Sequence, residues 1–147
     1  MERYEKIGKT FDFVALLEPT SPLRADQDLT KAIIKMIDNN EADSLVSVGE
    51  VHMEHPMIIK KINKEGFVVP YIENTTAIYQ RQQADTAYFP YGVVYICKVE
   101  IYKELKTFYT RRTIPFIIER WQNFEIDDQV DFSLTEYVKK LKSKQLL

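Results

Sequence analysis

Two groups of residues in this chain have types and spacings that invite chemistry. In Glu125-Ile126-Asp127-Asp128-Gln129-Val130-Asp131, alternation about Ile126 points Glu125 and Asp127 to one side of an extended segment. Two carboxylates on one face suit Mg²⁺, which binds through one or two carboxylates together with phosphate oxygens. Acids here also suit the first turn of a helix, where they complement its dipole, and Asp131 fits that role. The second group is Leu16-Leu17-Glu18-Pro19-Thr20-Ser21-Pro22-Leu23-Arg24. Two prolines stiffen it, Thr20 and Ser21 offer hydroxyls, and Arg24 offers a planar cation. The same string also reads as a Pro-punctuated strand-to-helix turn with Ser21 or Asp26 as N-cap.

The elements that must position these groups follow from periodicity. Phe11 to Ala15 reads as a short strand, and Asp26 to Asn39 carries Leu29, Ala32, Ile33, Met36 and Ile37 at helical spacing. Ser44 to Val51 is a second buried strand, so strand, helix and strand make a crossover and an α/β sheet. In such sheets the loops at the carboxyl ends of strands hold ligands. Two β segments, His55 to Asn63 and Gly66 to Ile72, form a hairpin about Lys64-Glu65-Gly66. Asn74 to Pro90 reads as a long loop, of a length that often carries function. Then come a strand at Gly92 to Cys97, a helix at Val99 to Lys106, and an edge strand containing Pro115. The last helix is expected to begin at the capping box Ser133-Leu134-Thr135-Glu136, with Leu134, Tyr137, Val138 and Leu141 as its buried stripe.

At 147 residues, with 45% apolar and 12% aromatic residues, the chain is expected to fold as a single domain over residues 1–147. A net charge of −2 with interspersed signs gives no footprint for nucleic acid. No apolar run approaches membrane-spanning length, and the N-terminus has no signal-peptide core, so a cytoplasmic location is expected. The single cysteine, Cys97, reads as a buried strand residue. His52 and His55 lack metal-ligand spacing and are read as structural. Of Lys60 and Lys61, one is read as a solvated lysine and the other as a further cation.

The string LLEPTSPLR after an apolar strand resembles the LLQPTSPLR signature of the acylneuraminate cytidylyltransferases, with Glu18 in place of Gln. Glu125, Asp127 and Asp131 resemble the family's D-I-D-x-x-x-D metal motif, with Glu125 in place of the first Asp. Arg81-Gln82-Gln83 and Tyr88 to Ile96 resemble its RQ…P-x-A-Y-x-P-N-G-A-I-Y-I segment, with Tyr91 in place of Asn. The resemblance implies a Rossmann-like nucleotidyltransferase sheet with a protruding β-hairpin that builds a homodimer. The reaction it implies is transfer of CMP from CTP to a nonulosonic sugar acid. It gives Mg²⁺ to Asp127, assisted by Glu125, and bidentate anion binding to Arg81. Glu18, Thr20, Ser21, Arg24, Gln82, Tyr95, Phe108 and Tyr109 would line the sugar-acid pocket. The family's Gly-rich A-R-x-G-S-K-G phosphate loop has no counterpart among the four glycines here. The match therefore covers roughly the C-terminal two-thirds of a member, with residues of about 52–90 as the inserted dimerisation and sugar-binding region. The expectation is an incomplete cytidylyltransferase domain, inactive alone. The alternative is a non-catalytic dimerising or partner-binding module of the same fold.

Overall fold

The structure is a computed structural model that describes residues 2–73 and 85–147. These fall into two compact units, Met1–Gly49 with Pro90–Leu147, and Glu50–Phe89.

The first unit is built on four strands, β1 (Phe13–Leu16), β2 (Ser44–Glu50), β5 (Tyr88–Lys98) and β6 (Thr113–Ile117), in the order β1-β5-β2-β6. The hairpin strands β3 (Lys60–Ile62) and β4 (Val68–Pro70) belong to the second unit. β1 runs antiparallel to β5, with Leu16 opposite Tyr95, and β2 runs parallel to β6, with Val46 opposite Pro115. The α/β expectation therefore holds, as a mixed sheet. Gly92 to Cys97 is buried along its whole length, as a continuous apolar run between two neighbours must be. Pro115 lies on the edge strand β6, where its missing N–H leaves no ladder bond unmade.

A four-residue helix α1 (Glu2–Glu5) precedes β1, and α2 (Asp28–Asp38) joins β1 to β2. Ala32 and Met36 of α2 meet Leu45, Val93, Val94, Ile96 and Ile118 in the core. Burying each of the larger side chains contributes about 1.5 to 3 kcal/mol. The stripe read from the sequence is too wide: Ile33 and Ile37 are 37% and 55% exposed. The buried row is Asp28, Ala32 and Met36, spaced by four, which puts residues one position on about 100° around the helix. Neither Ser21 nor Asp26 caps this helix; Gln27 precedes it without a side-chain cap.

After α3 (Val99–Leu105), the last helix α4 spans Gln129–Ser143 and so starts four residues before the expected capping box. Asp128 is its N-cap, accepting from the Val130 and Asp131 amides at 2.7 and 3.0 Å. The Ser133 hydroxyl instead bonds back to the Gln129 carbonyl at 2.9 Å, the usual mid-helix behaviour of serine. Of the expected stripe, Val138 and Leu141 are half-buried beside the buried Thr135, while Leu134 and Tyr137 are 48% and 61% exposed. Asp131 occupies the first turn, as expected.

In the second unit β3 and β4 pair antiparallel, with Lys60 opposite Pro70. Gly66 turns the hairpin at φ +87, a conformation that favours glycine, and the Asn63 side chain accepts from the Phe67 amide at 2.8 Å. Both strands are shorter than expected, because residues after His55 form a turn closed on its carbonyl by the Ile58 and Ile59 amides. His55 is buried and structural: its Nε2 meets the Asp85 carbonyl at 2.9 Å, and its Nδ1 accepts from the Met57 amide at 3.3 Å. Lys61 pairs with Glu73 at 3.0 Å. Of the expected loop from Asn74 to Pro90, residues 74–84 lie outside the described residues, and Tyr88 to Pro90 belong to β5.

Candidate functional site

The loop leaving the carboxyl end of β1 is fastened to β5 by its own polar groups. The Glu18 amide donates to the Gly92 carbonyl at 2.9 Å, and the Ser21 amide to the Glu18 carbonyl at 3.2 Å. Arg24 binds three backbone carbonyls: Val93 at 2.7 Å through Nε, and Glu18 and Ser21 at 3.0 and 3.2 Å through Nη2. Its guanidinium thus organises the loop. The exposed Thr20 lends its carbonyl to the Ile126 amide at 2.8 Å.

Ser21 is fully buried and donates to Glu125 Oε1 at 2.8 Å. The Gly92 amide donates to the same oxygen at 2.8 Å. Glu125 therefore ties the proline-rich loop, β5 and its own segment together. A Cβ on Gly92 would lie 2.2 Å from Glu18 Oε2 and 2.6 Å from Glu18 Cβ, so only glycine lets the Glu18 side chain lie across the strand. That half-buried carboxylate accepts no hydrogen bond among the described residues, which leaves it an acceptor-only group beside Tyr95.

Tyr95 is buried, with ring centroids 5.6 Å from Phe108 and 6.4 Å from Tyr109, and Tyr102 lies 4.9 Å from Phe108. Burial, followed by the neighbouring Tyr109, Glu18 and Glu125, pushes the Tyr95 hydroxyl well above the ordinary tyrosine value of 10.0. At neutral pH it is protonated, with the Tyr109 hydroxyl and the Glu18 and Glu125 carboxylates in its surroundings. The structure thus brings Glu18, Ser21, Tyr95, Phe108, Tyr109 and Glu125 to one region around Gly92. Arg81 and Gln82 lie outside the described residues.

The acid run divides its labour. Asp128 caps α4, and Asp131 accepts from the Asp127 amide at 3.1 Å. The exposed Asp127 carboxylate accepts no hydrogen bond among the described residues and is available to a ligand. Among those residues, no group of three His, Cys, Asp or Glu side chains could hold a metal alone. Asp127 thus stands as a single exposed carboxylate, and an ion held there would draw its other ligands from substrate phosphate and water, as Mg²⁺ can.

Two further residues shape the site without any signal in the sequence. Fully buried Ser47 of β2 accepts from the Val94 amide at 2.9 Å, and its hydroxyl reaches the Tyr91 and Val94 carbonyls. Buried Gln122 donates to the Leu23 carbonyl at 3.0 Å and to Asp28 at 2.6 Å, closing the loop from below. Gln122 sits in a 3-10 turn, Arg120–Gln122, and its side-chain oxygen accepts from the Glu119 amide at 3.0 Å.

The fold is that of the cytidylyltransferase-type nucleotidyltransferases. The chain superposes on 4-diphosphocytidyl-2C-methyl-D-erythritol synthase from Anaerococcus prevotii with a TM-score of 0.53 at 12% identity, covering 93% of this chain and 64% of that one. No protein-family model matches. The resemblance carried by the LLEPTSPLR segment is met by curated relatives. The chain is 29% identical over 117 residues to the N-acylneuraminate cytidylyltransferase of Streptococcus agalactiae serotype V, covering 80% of this chain and 28% of the relative. It is 28% identical to the CMP-N,N'-diacetyllegionaminic acid synthase of Legionella pneumophila, over 99% of this chain and 61% of the relative. The N-acylneuraminate cytidylyltransferase of Escherichia coli O18:K1:H7 is 24% identical over 92% of this chain, which spans 32% of that relative. No helix among the described residues is long and apolar enough to cross a membrane.

Proposed function

We propose that this chain carries the sugar-acid side of a cytidylyltransferase that transfers CMP from CTP to a nonulosonic acid. The anomeric oxygen of the sugar acid attacks the α-phosphorus of CTP, the bridging P–O bond breaks, pyrophosphate leaves in line, and the hydroxyl proton passes to solvent. Mg²⁺, when bound, neutralises charge on the α-phosphate, and Asp127 is the residue that would hold it. The observation that carries this reading is the convergence of Glu18, Tyr95, Phe108, Tyr109 and Glu125 around Gly92. Tyr95 donates to an oxygen of the sugar acid, Glu18 accepts from a hydroxyl or amide N–H, and the aromatic rings pack on its acyl group. Arg81 and Gln82 take the sugar carboxylate by the motif they match.

We further propose that the chain works with a nucleotide-cradling segment it does not itself contain, and that it is a homodimer through its second unit. That unit exposes Met53, Ile62, Phe67, Val68 and Tyr71 by 61 to 82%, with Ile62 and Val68 on a short two-stranded sheet, an element that is marginal in water alone. Sedimentation analysis should give twice the chain mass; a monomer at high concentration contradicts the dimer. For the reaction, calorimetry with N-acetylneuraminic and legionaminic acids should show binding, while pyrophosphate release from CTP and Mg²⁺ should stay at background. Failure of every sugar acid to bind would overturn the reading. Robust release by the chain alone would overturn its dependence on a further segment.

A further inference from the structure

Glu125 stands where the resemblance puts a metal-binding carboxylate, yet its geometry assigns it other work. Its Oε1 accepts from Ser21 Oγ and from the Gly92 amide, both at 2.8 Å. The next residue, Ile126, donates its amide to the Thr20 carbonyl at 2.8 Å, so two adjacent residues grip the same loop. Ser21 is fully buried, and the Gly92 carbonyl already receives the Glu18 amide at 2.9 Å. Gly92 is thus held on both its polar groups, one by the loop and one by Glu125. Glu125 Oε1, accepting two short hydrogen bonds, has no lone pair left for a cation and leaves that residue only Oε2, whereas both oxygens of the exposed Asp127 carboxylate accept none among the described residues.

We propose that Glu125 is a positioning residue, not a metal ligand. It fixes Gly92 and Ser21, and through them the Glu18 side chain that lies across Gly92, against the Tyr95 pocket. Asp127 then supplies the metal carboxylate by itself. The longer reach of Glu over Asp is what this role uses, because one side-chain oxygen must span the proline-rich loop and β5 together. The inference deepens the sugar-acid reading of the site and rests on it only for the identity of the ligand that Glu18 and Tyr95 meet.

The test compares Glu125→Gln, Glu125→Ala and Asp127→Asn in the full chain. Gln keeps a side-chain oxygen able to accept from both partners but has no charge to offer a cation. Hydrogen exchange of the Gly92 amide, followed by NMR, should rise by about tenfold or more in Glu125→Ala and stay within about threefold in Glu125→Gln, as expected for loss or retention of a hydrogen bond to a side-chain acceptor. Mn²⁺ affinity, read by paramagnetic relaxation with CTP present, should fall in Asp127→Asn and not in Glu125→Gln. Unchanged Gly92 exchange in Glu125→Ala, or loss of Mn²⁺ binding in Glu125→Gln, would overturn the proposal. If the unmodified chain binds no Mn²⁺, the metal reading of Asp127 fails, and Gly92 exchange still decides the role of Glu125. Should Glu125→Ala not fold, the thermal midpoint of Glu125→Gln against the unmodified chain takes its place: a large drop despite the retained acceptor counts against positioning by hydrogen bonds.

Discussion

Replacing Gly92 by alanine tests the packing on which the whole site depends. The new methyl carbon would sit 2.6 Å from Glu18 Cβ and 2.2 Å from Glu18 Oε2, about an ångström inside ordinary carbon contact. The carboxylate end can swing away, but the Glu18 Cβ follows its backbone. That backbone is held by the Glu18 amide on Gly92 at 2.9 Å and by Arg24 on the Glu18 carbonyl at 3.0 Å. Relief therefore requires loosening at least one of these bonds. Overpacking costs about 1 to 3 kcal/mol and a weakened hydrogen bond about 1 more, for a total of about 2 to 4 kcal/mol. For a chain of this size that is a melting-temperature drop of about 5 to 15 °C. The sign is diagnostic. Gly92 is not in the left-handed region, so on backbone grounds alone alanine would stabilise by about 0.4 to 1 kcal/mol. Urea unfolding of Gly92→Ala, with and without Glu18→Gly, reads both effects, and Glu18→Gly should recover most of the loss. A neutral or stabilised Gly92→Ala protein would refute the close approach of Glu18.

Other outcomes follow from the same structure. The buried Thr135 hydroxyl has no hydrogen-bond partner among the described residues, so Thr135→Val should be neutral or stabilise by up to about 1 kcal/mol in urea unfolding, and a clear loss would reveal a partner for that hydroxyl. The Arg112 guanidinium, hydrogen-bonded to Asp43 at 2.8 and 3.2 Å, holds that carboxyl below its ordinary value of 3.8. Its contribution is complete above that pH and is lost as pH falls, because the unfolded chain takes up the proton first. The stability gap between the unmodified chain and Asp43→Asn should therefore shrink from about pH 5 to pH 3, and a pH-independent gap would count against the pair. Asp127→Asn should leave the melting temperature within about 2 °C, since the side chain is exposed and Asp128 does the capping, while weakening divalent-metal binding with CTP. Normal metal binding in that variant would return the acid run to helix capping alone.

Much of the sheet was legible because its signals are local and strong. Val93 to Cys97 is an unbroken β-rich run that only a central strand buries, and Pro115 could sit only at an edge or a strand start. The helix starts were misread where short polar side chains have two local options. Ser133 bonds back within its helix, and Asp128, with no hydrophobic run directly behind it, does the capping. The stripe of α4 holds at Val138 and Leu141, while Leu134 and Tyr137 are exposed. Within the site, the proline-rich loop and the acid run announce themselves by composition, but their joining does not. Ser21 and Glu125 are 104 residues apart, and nothing in either segment states that one oxygen will serve both Ser21 and Gly92. Arg24, whose sequence context shows only a planar cation, braces its own loop, because three carbonyls there need donors. Ser47 and Gln122 left no trace, since a single buried polar residue in a strand or turn has no period to reveal it.

The proposed function stands on one contact, a sugar acid against Tyr95, Phe108 and Tyr109 beside Gly92. NMR titration of the labelled chain with N-acetylneuraminic or legionaminic acid maps that contact residue by residue. Saturable shifts of the Gly92, Tyr95, Phe108 and Tyr109 amides are expected, and Tyr95→Ala should abolish them. Saturable shifts confined to other residues, or an unchanged titration in Tyr95→Ala, would contradict it.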